Sequence, residues 1–165
     1  DSLQNDQPRI IIPLIRADGT WFGIQGRSLA KYTTLRYITV MFEEHQKVFG
    51  LDSINKNETV YVTEGPLDSL FMDNAIAMCG ADVDLTNWDY DFVYVYDNEP
   101  RNKQIIDRMD KSISEQDNVV IWPKNVKEKD INDMVLAGLN PSAIIKSNTF
   151  NGLEAKLKFT DWKRV

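Results

Sequence analysis

One cysteine and one histidine in 165 residues leave little room for disulfide or zinc chemistry. Cys79 alone cannot close an internal disulfide, and with His45 it falls short of the four ligands a structural zinc requires. Any zinc module belongs elsewhere in the gene product or on a partner. No apolar run is long enough to span a bilayer and no basic-then-apolar leader opens the chain, which predicts a soluble, cytoplasmic protein without a membrane partner. The start at Asp1 rather than methionine is expected of an excised or processed piece. Excess positive charge is missing too: a net charge of −6 argues against coating nucleic acid by bulk attraction, which needs a basic surface to displace counterions. Repeats and low-complexity segments are likewise lacking. What remains, at 42% hydrophobic content, is a globular chain of one domain, or one domain plus a small lobe.

The charge is unevenly spread. Between Arg9 and Lys47 the bases Arg9, Arg16, Arg27, Lys31, Arg36 and Lys47 outnumber the acids Asp18, Glu43 and Glu44. A basic lobe followed by an acidic centre suits a polyanion held near metal ions; a solvated, unevenly charged surface is the plain alternative. The first eight residues are polar and end in Pro8, as a tail or linker would. Arg9 to Ile15 reads as a strand, Asp18-Gly19 as a hairpin turn, and Trp21 to Gln25 as the returning strand, with Gly26 breaking the pattern. Arg36 to Met41 is a third strand, and the lobe is expected to end between residues 52 and 58.

The chain then changes character. Val60 to Thr63 is a short β-branched and aromatic run that stops at Glu64-Gly65-Pro66, with Leu67 to Met72 continuing at helical spacing. Ala75 to Met78, Phe92 to Tyr96 and Asn118 to Trp122 read as further core strands, the second ending at Asp97. Ile105, Ile106, Met109 and Ile113 mark one face of a helix between them, and a short helix is expected from Lys129 to a stop at Gly138. The spacing predicts a last strand near Ala143 to Lys146 and a helix from about Thr149 to Lys158. Strands alternating with helices imply a parallel sheet flanked by helices, an α/β class. Trp21 and Trp122 read as core, Trp88 and Trp162 as partner contacts in polar loops, His45 as a surface residue and Cys79 as a small buried apolar group.

Ligands of open α/β sheets bind beyond the carboxyl ends of the strands, where three acidic pairs fall: Glu64 with Asp68, Asp97 with Glu99, and Asp130 with Asp133. Mg²⁺ takes one or two carboxylates together with waters and phosphate oxygens, and ions so held polarise phosphates and activate an attacking oxygen. Helix capping by Asp68, Asp130 and Asp133 is the competing reading, worth under about 1 kcal/mol each.

These residues carry a family resemblance. Glu64-Gly-Pro-Leu-Asp68, the strand followed by Asp97-x-Glu99, and Lys129-Asp130-x-Asn-Asp133 resemble the three acidic motifs of the Toprim domain shared by primases, topoisomerases and some nucleases. Upstream, Arg9-Ile-Ile-Ile-Pro13, Asp18-Gly19, Phe22 to Arg27, Lys31-Tyr32 and Lys47-Val-Phe-Gly-Leu51 resemble the basic lobe of bacterial replicative primases and their phage relatives. The Glu-Gly-Pro-Leu-Asp-Ser form and the tail from Asn148 to Lys163 are similar to primases of T4-type phages. Two departures stand out: the family's Asp-x-Asp is here Asp97-x-Glu99, and Pro100-Arg101 replaces the small residue and glycine that commonly follow.

The resemblance implies a Toprim-type parallel sheet flanked by helices and preceded by a small, mostly β N-terminal lobe, with residues 1–57 as the basic lobe and 58–165 as the Toprim domain and C-terminal helix. It implies a DNA primase catalytic core, a nucleotidyltransferase that makes short RNA primers on single-stranded DNA during phage DNA replication. A Toprim nuclease, or a catalytically quiet module binding nucleic acid or a replisome partner, is the alternative. Glu64, Asp97 and Glu99 would be catalytic; these three with Asp68, Asp130 and Asp133 would hold Mg²⁺ or Mn²⁺. Arg27, Lys31, Tyr32, Lys47, Arg101 and Lys103 would hold nucleotide or template. The partners implied are single-stranded DNA, ribonucleoside triphosphates and a replicative helicase, in the host cytoplasm if phage-encoded.

Overall fold

A computed structural model describes residues 8–164. Residues 1–7 and Val165 fall outside that range, and with them most of the expected tail. Two sheets make up the structure. The first is antiparallel, with β1 (Arg9–Ile15), β2 (Trp21–Ser28) and β3 (Tyr37–Met41) in that order. Gly19, at φ +84°, makes the turn between β1 and β2, a backbone setting that glycine adopts without strain.

β2 runs three residues past its expected end because Gly26 does not break it. A Cβ there would come within 3.2 Å of the Arg9 side chain, so the glycine makes room for Arg9, whose guanidinium donates to Gly26 O, Arg36 O and Leu35 O. Near the other end the register shifts: Leu14 faces Gly23 but Ile15 faces Trp21, leaving Phe22 as the extra, bulged residue. Phe22 is fully buried with Leu14 and Cys79, whereas Trp21 is 54% exposed, contrary to its expected place in the core. His45 is half-buried rather than superficial, its ring 4.1 Å from that of Phe22.

The second sheet has six strands in the order β4-β6-β5-β7-β8-β9: β4 (Val48–Phe49), β5 (Val60–Thr63), β6 (Ala75–Met78), β7 (Phe92–Val95), β8 (Asn118–Val120) and β9 (Thr149–Phe150). The four inner strands are parallel and the two edge strands antiparallel. Because Val48 and Phe49 pair with Met78 and Ala77, the changeover between sheets lies between Met41 and Val48. The helices are α1 (Pro66–Ser69), α2 (Lys103–Ser114), α3 (Ile131–Leu136), α4 (Pro141–Ser147) and α5 (Gly152–Trp162). Met109, Met134, Ile145 and Phe159 from α2 to α5 pack in one cluster with Val93, Val95, Val119 and Val120. Val60, Val62 and Ile76 form a second cluster with Leu85, flanked by Trp88 and Tyr90, so the loop between β6 and β7 covers that part of the sheet.

Two elements differ from expectation. Residues 143–146 belong to helix α4, not a strand: Asn140 accepts the Ala143 N–H at 3.1 Å and Pro141 takes the first helical position, a start signal that outweighs the strand preference of Ile144-Ile145. The helix expected from Thr149 divides into β9 and the later-starting α5. Trp162, at the end of α5, is buried.

Candidate active site

From β5 the chain crosses through α1 to β6 on one side, while β7 lies on the other; the crevice between β5 and β7 is the switch point where open α/β sheets take ligands. Glu64 follows β5 and Asp97 follows β7, so the topology alone brings these two acids to one crevice. Gly65 contributes space rather than an unusual turn. Its φ of −128° is open to any residue, but a Cβ there would stand 3.1 Å from Asp68 Oδ2. Asp68, in the single turn of α1, accepts the Asn132 N–H at 3.1 Å and so ties α1 to the start of α3.

The carboxylates are costly as they stand. Burial raises the pKa of Glu64, with Arg108 opposing it most strongly from an ion pair at 3.6 Å. Glu64 Oε1 is buried without a hydrogen-bond partner. Burial also raises Asp68, opposed by the Asn132 N–H. Asp97 is pushed up to about 7, first by burial and then by the neighbouring Glu64 and Asp68, with Lys129 acting against them. Lys129 Nζ stands 3.8 Å from both Asp97 Oδ2 and Glu99 Oε1. The other oxygen of Glu99, Oε2, accepts from Asn102 Nδ2 at 3.0 Å, which fixes its side chain against the cap of α2.

Asp130 and Asp133 are placed differently. Asp130 caps α3, its Oδ1 accepting the Asp133 N–H at 2.8 Å, while still adding to the field on Asp68 and Asp97. Asp133 is exposed in the first turn of α3. As the side chains stand, no three His, Cys, Asp or Glu among the described residues are gathered into a metal cage. The donors nonetheless fit a hard cation held by one or two carboxylates: all are oxygens, and Glu64 Oε1 is buried without a hydrogen-bond partner.

Of the expected nucleotide or template residues, Arg27 is the one that reaches the acids. It lies on β2 with its guanidinium 5.5 Å from the Tyr37 ring centroid and lowers the pKa of Asp68. Lys31 and Tyr32 stack on each other in an exposed loop. Lys47 is paired with Asp82 at 2.8 Å, and Arg101 and Lys103 are exposed near the start of α2.

A cavity of about 230 Å³ joins the two sheets, lined by Gln25, Tyr37, Glu64, Gly65, Cys79 and Arg108 among others. Larger hollows of about 550 and 610 Å³ open beyond the other ends of β5 and β7, at Trp88 and Tyr90 and at Asn57 and Asp91. Neither holds an acid of the crevice, so the smaller cavity, with its buried carboxylate and guanidinium, is the better candidate. Tyr37, Arg108 and Lys129 were not anticipated. Lys129 adjoins Asp130, a signal available in the sequence; nothing in its spacing marks Arg108.

No family model matches the chain. The DNA primase of Enterobacteria phage T4 is 38% identical over 167 residues, covering 96% of this chain and 48% of that protein. The Aquifex aeolicus primase, solved with its zinc binding and RNA polymerase domains, superposes with a TM-score of 0.65 at 18% identity, over 94% of this chain and 46% of that one. The RNA polymerase domain of Mycobacterium tuberculosis primase, solved in complex with double-stranded DNA, gives 0.61 at 19% identity over 84% and 51%. The chain spans about half the length of these proteins. In sequence and in fold it resembles the Toprim-domain DNA primases, of the bacterial replicative and T4-type phage kind.

Proposed function

We propose that the chain is a primase catalytic core, synthesising short RNA primers on single-stranded DNA from ribonucleoside triphosphates during phage replication. The observation that carries this reading is the meeting of Glu64 and Asp97 at the switch point, with Glu64 Oε1 buried and unpartnered. The sequence kinship with a phage primase, and the DNA bound to a bacterial primase domain of this fold, support it. Residues 1–57 would act as the basic lobe, its β4 joining the edge of the larger sheet, beside a Toprim domain at 58–165, with a replicative helicase as partner in the host cytoplasm.

Asp97 and Glu99 would hold Mg²⁺ or Mn²⁺, with Glu64 alongside. When bound, such a cation would polarise the α-phosphate of the incoming nucleotide, so that the primer's 3′-hydroxyl forms the new ester bond there as the bond to the β-phosphate breaks and pyrophosphate leaves. The chain's own groups supply position and charge. Arg27, stacked on Tyr37 and acting on Asp68, would hold phosphate oxygens near the acids, and Tyr37 lines the cavity together with Glu64. Arg108 restrains Glu64 from the α2 side. Glu64, its pKa raised by burial, is suited to take up the proton that the 3′-hydroxyl loses. Asp68, Asp130 and Asp133 would act at longer range, through the field and the seating of α3.

The test is to incubate the chain with single-stranded template, an annealed RNA primer, labelled ribonucleotides and Mg²⁺ or Mn²⁺. Extended RNA is the expected product. Cut DNA would replace this reading with a nuclease, and neither product with a binding module.

A further inference from the structure

Asn98 sits between Asp97 and Glu99, and its side chain bonds to neither. Its Nδ2 donates to Val126 O at 3.2 Å and Glu128 O at 3.0 Å, and its Oδ1 accepts from Trp162 Nε1 at 3.1 Å. Its backbone N–H donates to Lys129 O at 2.6 Å. Both ends of the amide are thus used, on the loop before α3 and on the end of α5, a residue 64 positions away. Two residues further on in each stretch, the Arg164 N–H donates to Pro100 O at 2.8 Å. An asparagine that merely shaped a local turn would bond to its own neighbours. This one ties two separate stretches of chain to the turn that carries the two acids.

We propose that Asn98 is a positioning residue for Asp97 and Glu99, with the Trp162 indole as the other half of the strap. The inference rests on the reading that these acids hold a divalent cation. Two consequences follow from the geometry. The turn carrying Asp97 and Glu99 is fixed through Asn98 by Val126 O, Glu128 O, Lys129 O and Trp162 Nε1, none of which bonds to the two carboxylates. The loop is also drawn up so that the Lys129 ammonium reaches both carboxylates, so losing the strap disturbs the acids and their internal counter-ion together. Removing outer partners that orient metal-holding groups lowers metal affinity about 10- to 100-fold.

The test is an Mn²⁺ titration read from the electron paramagnetic resonance signal of the free ion, on the wild type, Asn98→Ala, Trp162→Phe, the double variant and Asp97→Asn, with a melting curve for each. Asn98→Ala is expected to weaken Mn²⁺ binding about tenfold or more. Trp162→Phe retains a packed ring and loses the N–H, so it should weaken binding less, in the same direction. Because both variants remove the same bond, the double variant should bind no worse than Asn98→Ala. Wild-type affinity in both single variants, even with lower melting temperatures, would make Asn98 a purely structural strap and overturn the proposal. If Asn98→Ala does not fold, Trp162→Phe decides alone. Mn²⁺ bound as tightly by Asp97→Asn as by the wild type, or not bound by the wild type, would overturn the metal-site reading itself, and the proposal with it.

Discussion

Isoleucine and valine build both sheets, but the two sheets use them in opposite ways. In the six-stranded sheet Val60, Val62, Ile76, Val119 and Val120 are fully buried. In the three-stranded sheet Ile11, Ile38 and Val40 are 55, 36 and 47% exposed. The smaller sheet touches the larger through one face, where Leu14 and Phe22 meet Cys79 and where Gln25 Nε2 and Thr39 Oγ1 both point to Cys79 O. Burial scales with apolar area removed from water, so stability resides in the larger sheet. The charges divide the same way: the larger sheet holds acids that burial disfavours, while the smaller carries bases, exposed at Lys31 and Arg36 and half-buried at Arg9 and Arg27. One sheet supplies the fold and carries the strain of the site, while the other is an adjustable wall.

The largest break in that comparison is at Asp97. Asp97→Asn is expected to abolish primer extension and Mn²⁺-dependent stabilisation while raising the metal-free melting temperature by a few degrees, because it removes a carboxylate crowded by Glu64, Asp68 and Asp130. Extension assays paired with melting curves check this; unchanged extension would move the chemistry away from the crevice. Next comes the core. Met109→Ala should destabilise the protein by about 2–5 kcal/mol, and Val40→Ala by no more than about 0.5 kcal/mol. Urea unfolding that returned equal losses would show that the two sheets share one core after all.

The strands were legible where β-branched runs met abrupt stops: β1, β5 and β6 begin and end where the residues indicate. α4 was not, because Ile144-Ile145 suits either a strand or a helix and the deciding Asn140-Pro141 lies outside the run. The crevice acids could be read because a carboxylate just past a core strand has few places to go. Where the bases lie was not legible, because an exposed lysine looks the same in sequence wherever it points; Lys31 and Tyr32 lie in an exposed loop, while Tyr37 lines the cavity. Trp162 was misjudged for a related reason: its polar neighbours are local, and its partner Asn98 is 64 residues away.

The pH dependence sharpens the comparison further. The pKa of Asp97 is about 7 in the fold against 3.8 for an ordinary aspartate, so between those values the folded state binds more protons than the unfolded. Stability from this group is therefore fully present below about pH 4, declines as pH rises, and is lost above about pH 7. The metal-free protein should accordingly be less stable at pH 8 than at pH 5, by on the order of a few kcal/mol, and Asp97→Asn should flatten the slope. A wild-type profile that rises from pH 5 to 8 would show that Lys129 and Arg108 already compensate the acids.

The smallest effect is expected at Arg27, on the wall rather than the strained sheet. Its guanidinium is half-buried over Tyr37 and acts on Asp68, so it stands between the solvated bases and the crevice. If it holds a phosphate, Arg27→Glu should weaken single-stranded DNA binding and lower the slope of log affinity against log salt by about 1, as losing one phosphate contact does. The fold should be little changed, since the cation–π contact is worth about 0.5–1 kcal/mol at a partly exposed site. Lys31→Glu is the control within the same sheet: Lys31 is exposed in the 29–36 loop and contacts Tyr32, so its slope change should be smaller. Equal changes at the two positions would mean that the whole basic lobe attracts DNA diffusely and that Arg27 has no special place beside the acids. No change at Arg27 alone would leave its guanidinium a packing group for Tyr37 and shift the nucleic-acid contact out to the loop.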